Sequence, residues 1–568
     1  MKLPPYIFPD SKKIIEYLLV SIAGIIPFFW ILGFRWTDLE FPFGYDGDAL
    51  LSISLSKTLI EQGWLFGNNK LGAPYGQLLT DIPFFEFINI LILKVMTLFS
   101  SDAVRALNLY FLTSFSLTTV ASYFVCKQLS FEKDISLWIS LLFSYQYYHL
   151  ARGIFHLFLS MYFVVPLGFW LLFQLFDPSI IKKKASTYTL MFMSAICGLC
   201  GLYYAIFILF LMAAFLVAEI IFSPKNTKKI QWACFFILGS ALFATVFPTL
   251  ISSLTHGPAA KITRSPSDIE NYALKFTHLV LPVEGHYIES LALLKQRYLE
   301  TTYFNNENKT AVLGFVGTVG FIFGWLFLIA TKAGDQAHHI LNRVAKINVL
   351  LFLFATLGGI TAVVGLLTFP MIRSSNRVSV FIAFGSLLIV GMGLEKLRKY
   401  WPQKHLFSVL IFLVGGFLIL DQTGSAVLGS AFPNRAVTDD RAFVRALEHS
   451  FANNSKIFQL PYVPFWESGP TVQLEGYEHL RPYLFSKTFS WSYGGTRGRE
   501  ADVWYANTAR LPIMTMLNEL KSKNFTAIYV DRRGFSDHAN SILAELTRIL
   551  GAPVVSDQDS IRLVFRIQ

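Results

Sequence analysis

Two aspartates in the segment Gly44-Tyr45-Asp46-Gly47-Asp48 are the residues of this chain best suited to proton transfer. The segment follows the first strongly apolar run and leads into a long stretch of polar and amphipathic sequence. A carboxylate that is partly desolvated at a membrane surface has a raised pKa and can accept a proton in a transition state. If the chain is an enzyme, we expect its catalytic carboxylate here.

The same aspartates have a structural alternative. Aspartate is common at helix N-termini, and an amphipathic interfacial helix is predicted from Asp48 to Gln62, with Gly63 as its C-cap. Both roles are compatible, since the positive end of a helix also favours a carboxylate. We favour Asp46 as the base, because Asp48 is better placed to cap the helix and Gly47 frees the backbone between them.

Basic residues in two short polar turns suit an anionic ligand. The turns are 147–156 and 368–377, and their basic residues are His149, Arg152, His156, Arg373 and Arg377. A guanidinium group matches phosphate in a bidentate way. The alternative for the arginines is contact with lipid headgroups at the interface. Single histidines near an interface are more often structural.

Two further polar segments carry candidate ligands. Glu284 and His286 lie in the longest outer loop, where a lid over a bound substrate could form. Arg497 lies in a glycine-rich loop that follows two aromatic residues, and such a loop suits a phosphate or a sugar ring. A plain connector and a plain turn are the respective alternatives. Asp81 and Glu86 are alternative acids.

The elements that must position these residues are membrane helices. The chain has 568 residues, of which 54% are hydrophobic and only 15% are charged. In soluble globular proteins about a quarter of the residues are charged. Apolar segments of roughly 17 to 25 residues, enough to cross the hydrocarbon core of a bilayer, recur along most of the chain. The sequence therefore predicts a polytopic α-helical membrane protein.

About eleven transmembrane helices are predicted. The basic links between apolar runs fall on the cytoplasmic side only if the run at 83–100 lies along the interface and does not cross. The N-terminus is then cytoplasmic and the C-terminus is outside. The predicted spans are 14–34, 104–126, 135–150, 157–177, 187–202, 204–222, 231–252, 311–331, 346–367, 378–395 and 405–421.

The predicted topology divides the chain into two parts. Residues 1–428 form the transmembrane part, and its outer loops are 35–103, 147–156, 253–310 and 368–377. Residues 429–568 have a soluble composition and predict a small extracytoplasmic α/β domain. The predicted elements of this domain are strands at 456–460, 527–530 and 561–567 and helices at 511–522 and 536–549.

Composition and charge placement argue against two other classes of protein. The net charge is +11, but Lys and Arg are scattered through short links, which suits cytoplasmic loops and membrane lipids better than nucleic acid. A transporter should carry ionisable residues within its spans and paired broken helices, and the predicted spans carry few such residues. The four cysteines all lie in apolar runs, where buried thiols are commonly inert.

The order of parts resembles the GT-C superfamily of integral-membrane glycosyltransferases, which use lipid-linked sugar donors. These proteins have one span, an acid-bearing outer loop with interfacial helices, many spans and an outer soluble domain. Three phrases are similar to a bacterial subgroup that includes YfhO-like members: GYDGDALLSISLSKTLIEQGW, NNKLGAPYGQLLTDIPFFEFINILILK and YEHLRPYLFSKTFSWSYGGTRGRE. The first phrase also matches the catalytic signature of the superfamily.

The resemblance implies a reaction. An acid of the first outer loop would take a proton from an acceptor hydroxyl while that oxygen attacks the anomeric carbon of a polyprenyl-phosphate sugar, with inversion. Arg152, Arg373 and Arg377 would hold the lipid phosphate. Many superfamily members carry a second acid in the second outer turn, but this chain has His149, Arg152 and His156 there. We therefore expect no cofactor, with a divalent metal as the less favoured alternative.

The hypothesis from sequence is an inverting glycosyltransferase of the bacterial inner membrane. Its partners would be a polyprenyl-phosphate sugar donor, an extracytoplasmic glycan or lipid acceptor, and membrane lipids. Two alternatives stay open. One is a lipid or glycan transporter, and the other is a non-catalytic membrane assembly factor with a degenerate GT-C site, which the missing second acid favours.

Overall fold

Helices make up most of the protein. The computed structural model describes residues 11–32, 36–82, 86–153, 155–222, 228–257, 259, 264–330, 339–367, 373–424 and 435–567. Backbone groups cannot stay unpaired in hydrocarbon, so apolar runs of this kind form helices in which each peptide bonds within its own segment. The α-helices before residue 425 are α1 Ser11–Leu32, α2 Gly47–Glu61, α3 Phe87–Phe99, α4 Ala103–Gln128, α5 Lys133–Ser144, α6 Tyr147–Gly153, α7 Val164–Phe176, α8 Thr187–Leu199, α9 Leu202–Phe222, α10 Lys229–His256, α11 Pro266–Asn271, α12 Phe276–Val280, α13 Glu289–Thr301, α14 Gly314–Ala330, α15 His339–Ala355, α16 Ile360–Leu367, α17 Ser379–Tyr400 and α18 Lys404–Asp421.

Among the described residues, six helices are long and apolar enough to cross a membrane, so this is a multi-pass membrane protein. They are Ser11–Trp30, Ala103–Gln128, Leu202–Phe222, Lys229–His256, Ser375–Tyr400 and Lys404–Asp421. Helices α5, α7 and α8 coincide with further predicted spans but have only 12, 13 and 13 residues. A straight crossing needs about 20 residues, so the predicted number of spans stays a prediction.

The structure refines two parts of the predicted topology. The adjacent predicted spans 187–202 and 204–222 correspond to α8 and α9, and the turn between these helices contains Gly201 with a φ of +131°, a value that residues with a Cβ rarely adopt. The predicted span at 346–367 is divided into α15 and α16 by residues 356–359. Part of the predicted outer turn that follows, 368–372, lies outside the described residues.

The predicted interfacial helix is α2, and other parts of the protein pack against both of its sides. Its apolar side packs against α3 and α4. Its polar side is covered as well, because Lys57 is only 8% exposed and donates to the carbonyl oxygens of Ser486 at 2.5 Å and Leu484 at 3.4 Å. The C-terminal part of the chain therefore covers the polar side of α2, a contact that the sequence pattern does not predict.

Two short strands follow α2 in the first outer loop. Strand β1, Gly67–Asn68, pairs antiparallel with β2, Gln77–Leu78. Between the two strands, backbone groups of residues 70–73 form hydrogen bonds with the C-terminal part of the chain. The turn of the hairpin is therefore bound to that part of the chain.

A five-stranded sheet organises residues 435–567, which we call the C-terminal domain. The strand order is β4-β3-β5-β7-β6, with β3 parallel to β4 and β5, and β7 antiparallel to β5 and β6. The strands are β3 Lys456–Leu460, β4 Ser490–Trp491, β5 Phe525–Asp531, β6 Val555–Ser556 and β7 Arg562–Arg566. The longer helices around them are Arg435–Ser450, Glu500–Thr508, Ile513–Ser522 and Asn540–Leu550.

The predicted elements of this domain are observed near their predicted positions. The strand at 456–460 has the predicted bounds, and the other two predicted strands correspond to β5 and β7. The helix Arg435–Ser450 and the two-residue strands at the edges of the sheet are not among the predicted elements. The predicted boundary between residues 428 and 429 lies outside the described residues.

The first outer loop extends the sheet at β4. The amide of Trp491 donates to the carbonyl of Lys70 at 2.8 Å, and the amide of Ala73 donates to the carbonyl of Trp491 at 2.9 Å. This is the main-chain pairing by which an extended segment adds to an exposed sheet edge. The loop that carries Asp46 and Asp48 is thereby held against the C-terminal domain.

Candidate active site

Asp48 and His156 meet at the start of α2. The chain turns at Gly47, whose φ of +44° favours glycine, and Asp48 then lies in the first turn of the helix. Oδ2 of Asp48 is 2.8 Å from Nδ1 of His156, a residue that follows α6. An ionised carboxylate only accepts hydrogen bonds, so Nδ1 carries the proton and donates it.

Glu307 bridges two arginines beside this pair. It begins the 3₁₀ turn Glu307–Thr310 at the end of the long outer loop, and its side chain is only 8% exposed. Oε2 of Glu307 pairs with the guanidinium of Arg152 and lies 3.1 Å from Nη2 of Arg377. Nε of Arg377 donates to Oε1 of Glu307 at 3.3 Å. The first outer loop and three later outer segments therefore converge at one cluster.

The two arginines are positioned by further contacts. Cζ of Arg377 lies 4.2 Å from the ring centroid of Tyr203, which is the geometry of a cation–π contact. Asn376 donates from Nδ2 to Oε1 of Glu307 at 3.1 Å. Nε of Arg152 is buried and has no hydrogen-bond partner within the described part of the chain. A buried donor of this kind is uncommon, and an anionic oxygen would satisfy it.

The charges of the cluster determine its protonation. Burial alone would raise the pKa of Asp48, but the hydrogen bond from His156 and the charges of the arginines outweigh it, so this pKa lies below its usual value. In the same way, Arg377 and Arg152 hold the pKa of Glu307 well below its usual value despite burial. Burial and the charge of Arg152 lower the pKa of His156. At neutral pH both carboxylates are ionised and His156 is neutral.

Asp46 lies apart from this cluster. It occupies the N-cap position of α2 without a side-chain capping hydrogen bond, and it is exposed. Partial burial raises the pKa of Asp46, and the charges of Arg481 and Glu478 of the C-terminal domain act on this pKa in opposite directions. The expected division of roles is therefore not observed, because Asp48 does not cap the helix and is the aspartate whose carboxylate is bound by His156.

Arg373 and Arg497 lie near the border of the cluster. Cζ of Arg373 is 4.8 Å from the ring centroid of Tyr272, whose carbonyl accepts from Asn376 at 2.8 Å. Arg497 belongs to the C-terminal domain, and its buried Nε has no hydrogen-bond partner within the described residues. The charges of Asp48 and Arg497 both act on the pKa of the Tyr477 hydroxyl, which burial raises.

His149 belongs to the protein core and does not reach the cluster. It is fully buried, and its Nε2 lies 2.7 Å from Oγ of Ser114. Its Nδ1 lies 2.7 Å from the carbonyl oxygen of Ser144, and its ring stacks on Phe115 at 3.9 Å between centroids. Since both ring nitrogens are engaged inside the protein, the side chain is placed for packing.

Glu284 and His286 lie in other ion pairs of the outer loops. Oε2 of Glu284 is 2.9 Å from Nζ of Lys309. Nε2 of His286 is 3.2 Å from Oδ1 of Asp421, at the end of α18. The contacts described for these two residues do not join them to Asp48 or to the arginines.

The two alternative acids are held by neighbouring side chains. Asp81 is fully buried at its side chain, and its carboxylate accepts from Arg499 at 2.6 and 2.8 Å and from Ser252 at 2.6 Å. Glu86 accepts from Nδ2 of Asn89 at 2.5 Å and is also buried. Asp81 therefore joins two parts of the protein, and Glu86 lies inside the helical part.

Residues 22–418 match a family model described as Domain of unknown function (DUF6311). The chain belongs to this family. The matched region contains Asp48, Arg152, His156, Glu307 and Arg377, whereas the C-terminal domain of this DUF6311 member follows it. No curated protein matches the sequence significantly.

Solved structures give the fold of this DUF6311 member. ArnT from Cupriavidus metallidurans, bound to undecaprenyl phosphate, superposes with a TM-score of 0.52 at 10% sequence identity, covering 99% of each chain. The DUF6311 member therefore has the GT-C fold that the sequence resemblance implies. Two weaker similarities are an Archaeoglobus fulgidus oligosaccharyltransferase tethered to an acceptor peptide (TM-score 0.48, 10% identity, 92% and 70% covered) and the arabinofuranosyltransferase AftD from Mycobacteria (TM-score 0.47, 13% identity, 91% and 35% covered).

Glu307 is the residue of the DUF6311 cluster that the sequence analysis missed. It lies in the polar run 305–310, directly before the apolar segment of α14. In the predicted topology this places an acid at the same outer edge as Arg152 and Arg377. Its position at the same edge could have identified Glu307, because two arginines that lie close together at one interface need a neighbouring negative charge.

Proposed function

We propose that this membrane protein is an inverting glycosyltransferase that moves a sugar from a polyprenyl-phosphate donor to an extracytoplasmic glycan or lipid acceptor. The observation that carries the proposal is the meeting of a first-loop carboxylate, Asp48, with an arginine pair, Arg152 and Arg377, at one cluster. Support also comes from the GT-C fold and from ArnT, which has been solved with undecaprenyl phosphate bound.

The proposed reaction forms one bond and breaks one bond. The acceptor hydroxyl oxygen attacks the anomeric carbon from the face opposite the lipid phosphate, and the bond between that carbon and the phosphate oxygen breaks. The hydroxyl proton passes to a base at the pair of Asp48 and His156. The sugar is thereby transferred with inversion, and polyprenyl phosphate leaves with one more negative charge than the donor carried.

The departing phosphate needs positive charge, and the arginines supply it. Arg152 and Arg377 carry fixed guanidinium groups at the cluster, and Nε of Arg152 has no hydrogen-bond partner among the described residues. Guanidinium donors aimed at developing charge stabilise a transition state without a metal ion. We therefore propose that the reaction uses no cofactor. Arg373 and Arg497 are further candidates for contact with the donor or the acceptor.

We place the reaction at the outer face of the bacterial inner membrane. The basic links between helices indicate a cytoplasmic N-terminus and an extracytoplasmic C-terminal domain. In this orientation the lipid chain of the donor stays in the bilayer while its phosphate reaches the cluster from the outer leaflet. The C-terminal domain, which covers α2, is placed to contact the acceptor.

The purified protein in lipid nanodiscs tests the proposal. It is incubated with a panel of radiolabelled polyprenyl-phosphate sugars and with glycan and lipid acceptors from bacterial envelopes. The Asp48→Asn variant should lose on the order of 10² to 10⁴ in transfer rate, the usual contribution of a catalytic acid or base. The matched control is Asp46→Asn, which removes the neighbouring exposed charge and should retain transfer.

The same assay separates the alternatives from the proposal. A transporter would move labelled lipid between leaflets of a vesicle without releasing polyprenyl phosphate. A non-catalytic assembly factor would bind lipid but give no product with any donor. Equal transfer by wild type and Asp48→Asn would rule out the catalytic role proposed for that carboxylate.

A further inference from the structure

The hydrogen bond between Asp48 and His156 determines which nitrogen of the histidine can accept a proton. Because Asp48 is ionised, Nδ1 of His156 must hold its hydrogen and donate it across the 2.8 Å contact. A neutral imidazole has one protonated nitrogen and one lone pair. The lone pair is therefore on Nε2, the nitrogen that points away from Asp48.

Nε2 of His156 has no close partner among the described residues. Its nearest charged neighbour is Oε2 of Glu307 at 3.9 Å, which is beyond hydrogen-bond distance. The side chain of His156 is 26% exposed, so a ligand can approach it. The base is thus presented at the cluster that also contains the arginines.

Four charged side chains from different outer segments interact with His156. Asp48 of α2 and Glu307 of the long outer loop are negative, while Arg152 of α6 and Arg377 before α17 are positive. The two charge signs balance, and burial leaves the imidazole neutral at pH 7. Once Nε2 gains a proton, the carboxylates on both sides of the ring stabilise the imidazolium.

Resting on the proposed glycosyl transfer, we propose that Nε2 of His156 accepts the proton of the acceptor hydroxyl, and that Asp48 acts as a positioning residue. As the acceptor oxygen bonds to the anomeric carbon, its hydrogen moves to Nε2 and the phosphate takes the electron pair of the broken bond. Asp48 holds the ring in the required tautomer throughout. The imidazolium then loses its proton to water before the next turnover.

Two variants distinguish this assignment from a base at Asp48. In His156→Asn, the amide nitrogen can take the place of Nδ1 and still donate to Asp48, but no lone pair replaces Nε2. We expect a loss of on the order of 10² to 10⁴ in kcat/KM. Asp48→Asn retains a carbonyl oxygen that can accept from Nδ1, so its loss should be smaller than that of His156→Asn.

The pH profile of kcat/KM gives a second readout. A free histidine has a pKa of 6.5 and a free aspartate 3.8, and both residues are shifted downward here. If His156 is the base, the rate falls with decreasing pH through a pKa that lies below 6.5. If Asp48 is the base, the rate stays constant down to 3.8, and this result would overturn the inference.

A chemical probe tests the neutral nitrogen without any transfer assay. Diethylpyrocarbonate acylates neutral imidazole nitrogens, and peptide mass spectrometry reports the modified residue. His156 should be modified at neutral pH and protected by undecaprenyl phosphate, while the buried His149 serves as the unreactive control. An unmodified His156, or full transfer by His156→Asn, overturns the inference alone. If His156 of the wild-type protein is modified as expected but the protein transfers no sugar, the proposed function is overturned.

Discussion

Arg499 of the C-terminal domain binds both carboxylate oxygens of Asp81 in the first outer loop, at 2.6 and 2.8 Å. The same guanidinium donates to the carbonyl oxygen of His256 at 2.5 Å, where α10 ends. The Asp81 side chain is fully buried. One ion pair thus joins the C-terminal domain, the loop that carries Asp48 and a membrane helix.

Breaking this pair should destabilise the protein. Arg499→Met leaves the Asp81 carboxylate buried without its counter-charge, which typically costs about 3 to 5 kcal/mol. We expect a lower melting temperature in nanodiscs and faster proteolysis between the membrane part and the C-terminal domain. Arg510→Met is the matched control, since Arg510 is an exposed arginine of the same domain. Equal melting temperatures for both variants would contradict the role of the pair.

Removing Arg377 should impair donor use more than folding. Arg377→Gln takes one guanidinium from the phosphate position, and loss of a donor that stabilises developing charge usually costs on the order of 10² to 10³ in rate. Binding of undecaprenyl phosphate, measured by tryptophan fluorescence, should weaken as well. Arg105→Gln is the control, because Arg105 pairs with Glu40 at an exposed position. Unchanged lipid binding by Arg377→Gln would exclude a phosphate contact.

Glu307 should behave as an internal counter-ion for the arginines. In Glu307→Gln, Arg152 and Arg377 repel each other in a buried site, so the melting temperature should fall. Undecaprenyl phosphate should then raise the melting temperature of the variant more than that of the wild type, because the phosphate replaces the lost charge. Glu284→Gln, which removes a carboxylate from a more exposed pair, should show the wild-type response.

The pH dependence of stability should reveal the ionised state of Glu307. Its pKa is well below the usual 4.5 in the folded protein, because Arg377 and Arg152 favour the charged form. A lowered pKa contributes stability that is complete above 4.5 and is lost as the pH falls through the folded value. The difference in melting temperature between wild type and Glu307→Gln should be constant from pH 7 to 5 and narrow below 4.5. A difference that instead grows on acidification would contradict this assignment.

The two histidines of the second outer turn should respond differently to substitution. His149→Leu removes two buried hydrogen bonds, those with the carbonyl of Ser144 and with the hydroxyl of Ser114, which typically costs about 0.5 to 1.5 kcal/mol each. The folded fraction should keep the wild-type kcat/KM. Thermal melting and transfer rates normalised to folded protein give both values. Loss of transfer at full stability would assign His149 a direct role.

Sequence patterns predicted the helices and the region of the site, because both depend on local composition. The apolar runs, the basic links between them and the acids before α2 can each be recognised within a short segment of sequence. Asp48 was favoured as the helix cap, but Asp46 occupies the N-cap position of α2 and Asp48 contacts His156. Gly47, with its positive φ, lies between the two aspartates, and which of them acts as the base stays a prediction.

Contacts between distant segments were beyond the reach of sequence patterns. Glu307 meets Arg152 and Arg377 only because three outer segments end at the same place, and no periodicity encodes that meeting. The contact that covers α2 is a second case. From sequence, Lys57 belongs to the polar side of an interfacial helix, but in the structure it donates to a carbonyl oxygen of the C-terminal domain. Hydrophobic pattern predicts which side of a helix is apolar, but it does not predict what covers the other side.

The pairing of residues 70–73 with β4 also constrains the order of assembly. Beside this pairing, the side-chain amide of Gln77 donates to the carbonyl of Gly494, which lies 417 positions further along the chain. Ribosomal synthesis proceeds from the N-terminus, so the first outer loop is made early and must wait for nearly the whole chain before its edge is complete. A nascent or truncated chain that lacks β4 would insert its helices but leave the backbone groups of residues 70–73 without these partners.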